Sequence, residues 1–258
     1  MRPILFQLGP IPISAFGVFL LLAFFGAIAL ARRAVQARLG VDPNAMVDLS
    51  LYAVVAGIIG ARVGFILVNL DQFVAVPSKM FTIWRDGGLV YYGGLAAGLL
   101  LVRAYTRTWQ VSFGALLDAC AAPLILGYGI AMIGALLHGL LQGRATGVPW
   151  AIEIFLERRH PAQIYMFVAA AVILVVLRAQ RGQTVAAGML FVLAVFLQAI
   201  ARFSVDFFVE APAVAGPLTM GQLASGAAAL VSLWLLISLQ RRAPEVRPSP
   251  DPIAGAPA

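Results

Sequence analysis

The run LSLYAVVAGIIGARVGFILVNL, Leu49 to Leu70, decides the class of fold. About 22 residues pass with one charged side chain, Arg62, a length that spans the ~30 Å hydrocarbon core of a bilayer at about 1.5 Å per residue. Glycine recurs at Gly57, Gly60 and Gly64 without breaking the run. That spacing is tolerated in transmembrane helices, where small residues let a neighbouring backbone come close.

Working outward, similar runs cover Ile11 to Ala31, Tyr91 to Val102, Phe113 to Leu141, Ile164 to Leu177, Ala186 to Phe203 and Met220 to Leu239. The whole chain of 258 residues is 62% hydrophobic and 11% charged, far more apolar than a soluble globular domain. In hydrocarbon every backbone amide needs an internal partner, and runs this long lack the short alternation of barrel strands. The expected fold class is therefore an all-α integral membrane protein, a polytopic bundle of about seven transmembrane helices. Residues 1–242 form that transmembrane domain. The remaining 243–258, rich in proline and alanine, are expected to be a disordered cytoplasmic tail.

The formal charge of +7 would suggest nucleic acid in a soluble protein. Here the basic residues lie in short clusters between apolar runs, as topology signals do, and nucleic acid is set aside. With the N-terminus outside, the cytoplasmic segments hold Arg32, Arg33, Arg38, Arg103, Arg107, Arg178, Arg181, Arg241, Arg242 and Arg247, against Arg2, Lys79, Arg85, Arg144, Arg158 and Arg159 outside. Short loops rich in arginine stay cytoplasmic, which places the C-terminus inside. The single cysteine, Cys120, allows no intramolecular disulfide. No metal cluster, nucleotide loop or serine triad is visible, and no cofactor is expected.

A charge near the membrane centre costs about 2.5–3.5 kcal/mol on insertion scales, so intramembrane arginines call for partners or a watery cavity. Arg62 stands some eight residues before the outer end of its span, on the order of 12 Å deep. Arg202 lies near the outer end of the sixth span, and Asp206 one turn later offers an i to i+4 ion pair. Tyr91 and Tyr92 open the third span, framed by Gly87, Gly88, Gly93 and Gly94. Those glycines let backbones approach closely or let a substrate lie against the chain. His160-Pro161-Ala162-Gln163-Ile164-Tyr165 begins the fifth span, where a helix cap is the simpler reading of the histidine. His138 and Asp118, in apolar stretches, read as satisfied structural residues.

Four helices thus aim arginine, tyrosine, histidine or glutamine at one outer level of the membrane. Guanidinium groups match phosphate, and a phenol or imidazole beside them is suited to move a proton. The pattern suits an anionic lipid headgroup. A small transporter, the alternative from a different class, calls for a polar path through both leaflets, which is not seen.

Several stretches, in order and at matching spacing, resemble one known family. They are Gly60-Ala61-Arg62-Val63-Gly64-Phe65, Trp84 with Asp86 to Leu95, Asp118-Ala119-Cys120-Ala121, Gly143-Arg144 with Pro149-Trp150, Arg159-His160-Pro161 with Gln163 and Tyr165, Arg202-Phe203 with Asp206-Phe207-Phe208, and Met220-Gly221-Gln222-Leu223. From about residue 50 to 225 the chain resembles the prolipoprotein diacylglyceryl transferases. The resemblance implies transfer of a diacylglyceryl group from phosphatidylglycerol to the lipobox cysteine of a prolipoprotein, with the lipid bilayer and prolipoprotein signal peptides as partners, in the bacterial inner membrane.

It further implies Tyr92, Arg202 and His160 as catalytic residues, Tyr92 standing where many members carry histidine. Arg62, Arg144, Gln163, Tyr165, Asp206, Gly93 and Gly94 would bind substrate. The family's fourth helix carries an arginine, two asparagines and a glutamate where this chain has Met132, Ala135, His138 and Leu140. Those changes remove charge-assisted phosphate contacts, so weaker turnover, or a non-catalytic relative that binds phospholipid or lipoprotein precursors, is the competing expectation.

Overall fold

A computed structural model describes residues 3–9, 11–75, 78, 80, 88–154, 156–180 and 186–242. The expected tail at 243–258, and Trp84, Asp86 and Gly87 of the loop motif, lie outside these residues.

The chain opens with an antiparallel hairpin, β1 (Ile4–Leu8) and β2 (Ile11–Ser14), and then enters helix α1 (Ala15–Leu39). Helix was expected from Ile11. Pro12 has no N–H to give a helix, and the Ser14 hydroxyl accepts from the Gly17 amide at 3.0 Å, so the helix starts at that cap. Then follow α2 (Pro43–Val68), the short α3 (Leu70–Ala75), α4 (Tyr91–Thr108), α5 (Phe113–His138), α6 (Ala162–Ala179), α7 (Met189–Val205) and α8 (Met220–Arg242). Between α5 and α6 lies the hairpin of β3 (Ile152–Ile154) and β4 (Glu157–Arg159). Between α7 and α8 lies that of β5 (Ala213–Ala215) and β6 (Leu218–Thr219).

Among the described residues six helices, α1, α2 and α5 to α8, are long and apolar enough to cross a membrane. The protein is a helical, multi-pass membrane protein. The remaining expected span, α4, keeps going past Val102 through Arg103, Thr106 and Arg107 and packs along α2. The contact is backbone on backbone. A Cβ on Gly94 would come within 2.8 Å of the Gly57 carbonyl oxygen, and one on Gly93 would fall inside contact distance of the Gly60 carbonyl. The α2 glycines and Gly93–Gly94 are therefore what lets these two helices touch. Elsewhere α1 lies along α5, α5 along α6, and α7 along α8.

Consecutive spans alternate in direction, so the three hairpins gather at one end of the bundle. At the opposite end Val35, Met46, Leu49, Leu116 and Ala119 form a closed core. There Asp118 does work that its sequence context does not announce. Its carboxylate accepts from the amides of Gly188 at 2.7 Å and Phe191 at 2.8 Å. Gly188, the cap of α7, has no side chain to satisfy that first turn, so α5 caps α7 from outside. The structural reading of Asp118 holds, with that reason.

Candidate active site

At the hairpin end the expected site residues fall into two groups, built on different helix pairs. The first sits where α2 ends and α4 begins. Arg62, 5% exposed, donates from Nε to the Met80 carbonyl at 3.1 Å and from Nη1 to the Gly88 carbonyl at 3.2 Å. Its guanidinium also lies 5.6 Å and 5.4 Å from the ring centres of Phe65 and Phe73. Carbonyl oxygens and aromatic faces together offset the cost of its burial, so it ties the segment before α4 down onto α2 and is not a snorkelling side chain. Tyr92, the second residue of α4, is largely exposed and packs edge-on to Tyr91 with ring centres 5.6 Å apart. Gly93 and Gly94 face α2; of their two readings, close backbone approach is the one seen.

The second group assembles from α5, α6, α7 and the segments between them. Helix α6 begins behind Pro161, which holds the N-cap position without a side-chain bond. His160 is therefore free of capping duty. Its Nδ1 lies 3.1 Å from the Tyr165 hydroxyl, which in turn accepts from the Trp150 indole N–H at 2.8 Å. The indole can only donate, so the Tyr165 hydroxyl accepts from it, while the direction of the bond between that hydroxyl and Nδ1 is set by the imidazole tautomer. Phe208 packs on both rings, 4.9 Å from His160 and 5.9 Å from Tyr165.

Three strand-like segments support this cluster. The Arg144 amide donates to the Phe208 carbonyl at 2.7 Å, its Nε to the Val209 carbonyl at 3.2 Å, and the His160 amide to the Arg144 carbonyl at 3.0 Å. Arg159 bonds the Gly143 carbonyl at 3.1 Å and pairs with Glu157 and Glu210. Those two carboxylates push its guanidinium pKa further above the ordinary value. Gln163, 1% exposed, donates to the Leu140 carbonyl and leaves its own Oε1 without a partner among the described residues.

At the end of α7 the expected i to i+4 pair is present, with Arg202 Nε 2.8 Å from Asp206 Oδ1. Asp206 is 2% exposed, yet among the described residues neither carboxylate oxygen has a partner with the alignment of a hydrogen bond. The guanidinium compensates the charge without using the lone pairs. Asp206 lies over the first turn of α8, where a Cβ on Gly221 would strike its Oδ2. The Tyr128 hydroxyl of α5 sits beside Arg202 and Gln198.

The altered fourth-span positions are accommodated in different ways. Met132 joins an apolar cluster with Ala162, Met166, Val205 and Val209, and Ala135 is buried at 2%. His138 sits 6.3 Å from the Phe16 ring with Nδ1 buried and unpartnered among the described residues, which departs from the expectation of a satisfied side chain. Leu140 is exposed. Residues that sequence reasoning did not assign to the site are Tyr128, Trp150, Arg159, Gln198, Phe208 and Glu210. For Tyr128 one signal existed, its place one turn before Met132 on the same face of α5. The Arg159–Glu210 pair ties β4 to the segment after α7 and left none.

The chain matches the prolipoprotein diacylglyceryl transferase family over residues 3–238. A phosphatidylglycerol–prolipoprotein diacylglyceryl transferase from Geobacter sulfurreducens is 34% identical over 252 residues, covering 93% of this chain and 96% of the relative. One from Chromohalobacter salexigens is 34% identical, covering 93% of both chains. A third, from Xanthomonas campestris pv. campestris, is 32% identical, covering 98% of this chain and 96% of the relative.

Proposed function

Since the chain belongs to the prolipoprotein diacylglyceryl transferase family, we propose that it transfers the diacylglyceryl group of phosphatidylglycerol to the lipobox cysteine of prolipoproteins. It is a transferase of lipoprotein maturation. The sulfur of the cysteine forms a bond to the glyceryl carbon, the bond from that carbon to the phosphate oxygen breaks, and glycerol phosphate leaves with the bonding pair. The thiol proton goes to a base. The observation that carries the reading is the match over residues 3–238, which covers every element that builds the hairpin-end cluster.

Each side chain takes a role from its surroundings. Arg202, ion-paired but a third exposed, is placed to turn toward the departing phosphate, where a guanidinium in a dry site stabilises developing charge. His160, oriented through Nδ1 by the Tyr165 hydroxyl, offers Nε2 toward that phosphate. Tyr92 is the candidate base on the α4 side, and Arg62 positions the segment ahead of it. Arg144 and Gln163 border the opening toward the lipid. In this reading the N-terminus faces outside and the C-terminus the cytoplasm, supported by the arginine bias between loops. Residues 1–242 act as one transmembrane domain.

The deciding experiment supplies purified protein with phosphatidylglycerol and a lipobox peptide and detects the thioether by mass. Thioether formation with release of glycerol phosphate is expected. No transfer from well-folded protein, under conditions where the Geobacter relative is active, would overturn the assignment.

A further inference from the structure

A reaction that joins two substrates needs two sets of contacts, and the buried polar atoms without partners fall in two places. Beside the Arg159 Nε of the hairpin network, those among the described residues are Gln198 and Asp206 on the α7 side and His138 and Gln163 where α5 hands over to α6. The second pair has no part in the roles given above to the lipid phosphate and its arginine. Gln163 is 1% exposed, and its amide cannot turn around, because the Leu140 carbonyl needs the Nε2 side as donor. Its Oε1 is thereby fixed as a buried acceptor. His138 stands two residues before Leu140, as the last residue of α5 before the left-handed Gly139. It lies one turn past Gly134, where a Cβ would strike Phe16 and Phe19, and so shares the face of α5 that α1 covers. Its ring is tilted against that of Phe16 at 6.3 Å, with Nδ1 buried and unpartnered among the described residues.

We propose that His138 and Gln163 form the subsite for the acceptor peptide, Gln163 Oε1 receiving the backbone N–H of the lipobox cysteine and His138 Nδ1 receiving its thiol S–H. This rests on the transferase reading and assigns where its second substrate is held. A phosphate does not answer the demand at this junction, because it is acceptor-rich and Gln163 Oε1 can only accept. An extended peptide answers it, since inside a bilayer its own amides must also find partners. The thiol suits the neighbouring position for two reasons. An S–H is a donor that an imidazole nitrogen can take in the tautomer protonated on Nε2, and the Phe16 ring beside it offers the aromatic contact that sulfur favours. His138 is here a positioning residue for the thiol. The hydrogen bond leaves the thiol proton in place, and the base of the transfer step is a separate group.

The test measures binding of three peptides to the full-length protein in detergent by native mass spectrometry: the lipobox peptide, the same peptide with alanine for the cysteine, and the cysteine peptide N-methylated at that residue. The parent is expected to bind the first about tenfold more tightly than either of the others, because each leaves a buried acceptor unmet. His138→Phe should lose the preference for cysteine over alanine while its unfolding midpoint stays level or rises, since a buried nitrogen without a partner has been removed. Loss of a merely structural residue would lower that midpoint. An asparagine amide reaches the place of Nδ1 and a glutamine amide the place of Nε2, so His138→Asn should keep the preference and His138→Gln should lose it. That pair decides the matter if His138→Phe fails to fold. Equal binding of the cysteine and alanine peptides by the parent overturns the subsite, as does an undiminished preference in His138→Phe or His138→Gln. Equal binding of the N-methylated peptide overturns the part given to Gln163. Phosphatidylglycerol binding should stay within about twofold in every variant, and a parallel loss of lipid and peptide also overturns the subsite. Transfer is scored separately. Peptide preference without transfer leaves the subsite standing and sinks the transferase reading, and transfer without preference does the reverse.

Discussion

Two carboxylates mark the two ends of this bundle. Asp118, at the end opposite the hairpins, has both oxygens filled by the amides of Gly188 and Phe191. Asp206, at the hairpin end, is more deeply buried and has a cation beside it but, among the described residues, no aligned donor. Both sit near helix starts, Asp118 at α7 and Asp206 at α8, so local type does not separate them. What differs is whether the surrounding chain uses the lone pairs. A protein fills the lone pairs of a carboxylate that holds its fold together. At Asp206 the lone pairs lack aligned donors among the described residues, beside an arginine whose side chain is a third exposed.

The contrast makes graded predictions. The largest effect is expected from Asp118→Ala, which strips two charge-assisted bonds from the first turn of α7. Stability should fall by about 3 kcal/mol, read as the unfolding midpoint in detergent. Among the molecules that remain folded, transfer should not change. Asp206→Asn should do the opposite. Arg202 is exposed enough to turn to water, so stability should move by less than about 1 kcal/mol, while transfer drops around a hundredfold, on the order of 2.7 kcal/mol of barrier. If Asp206→Asn unfolds the protein as readily as Asp118→Ala, the two ends are alike and the comparison breaks.

Gly143→Ala sharpens the picture of the hairpin end. A Cβ there would collide with the His160 backbone, with no flexible side chain to yield. A loss of about 2 kcal/mol in stability is expected, together with slower transfer as His160 is displaced. A change in stability with an unaltered rate would detach His160 from the site. The smallest effect is assigned to Tyr165→Phe. It removes the hydroxyl between the Trp150 indole and His160, and transfer should slow about tenfold, near 1.4 kcal/mol, with stability changed by about 1 kcal/mol. A rate equal to that of the parent would show that the imidazole needs no orienting partner.

Much of the architecture was legible because the bilayer is a severe solvent. Runs such as Leu49 to Leu70 have one stable form in hydrocarbon, and the expected spans differ from the helices mainly at their ends, where Pro12 and Ser14 delay α1 and Gly139, at φ 83°, ends α5 early. The span over Tyr91 to Val102 was harder to judge. Past Val102 the helix carries Arg103 and Arg107, and what places α4 is glycine contact with α2, an interaction between helices that no window of sequence contains.

For the candidate site, sequence pointed to the residue types and their common level in the membrane. The ion pair of Arg202 with Asp206 followed from spacing alone, because residues four apart on a helix are neighbours. The splitting of the site residues into an α2–α4 group and an α5–α8 group did not follow, since it depends on which helices pack together. Nor did the release of His160 from capping, the bridge from Arg159 to Glu210, or the filling of Asp118 and not Asp206. Those were decided by tertiary structure, and the reason is geometric. Hydropathy and helical period are properties of a segment, whereas whether a buried lone pair meets a donor depends on atoms brought from elsewhere in the chain, to within a few tenths of an ångström and a few tens of degrees.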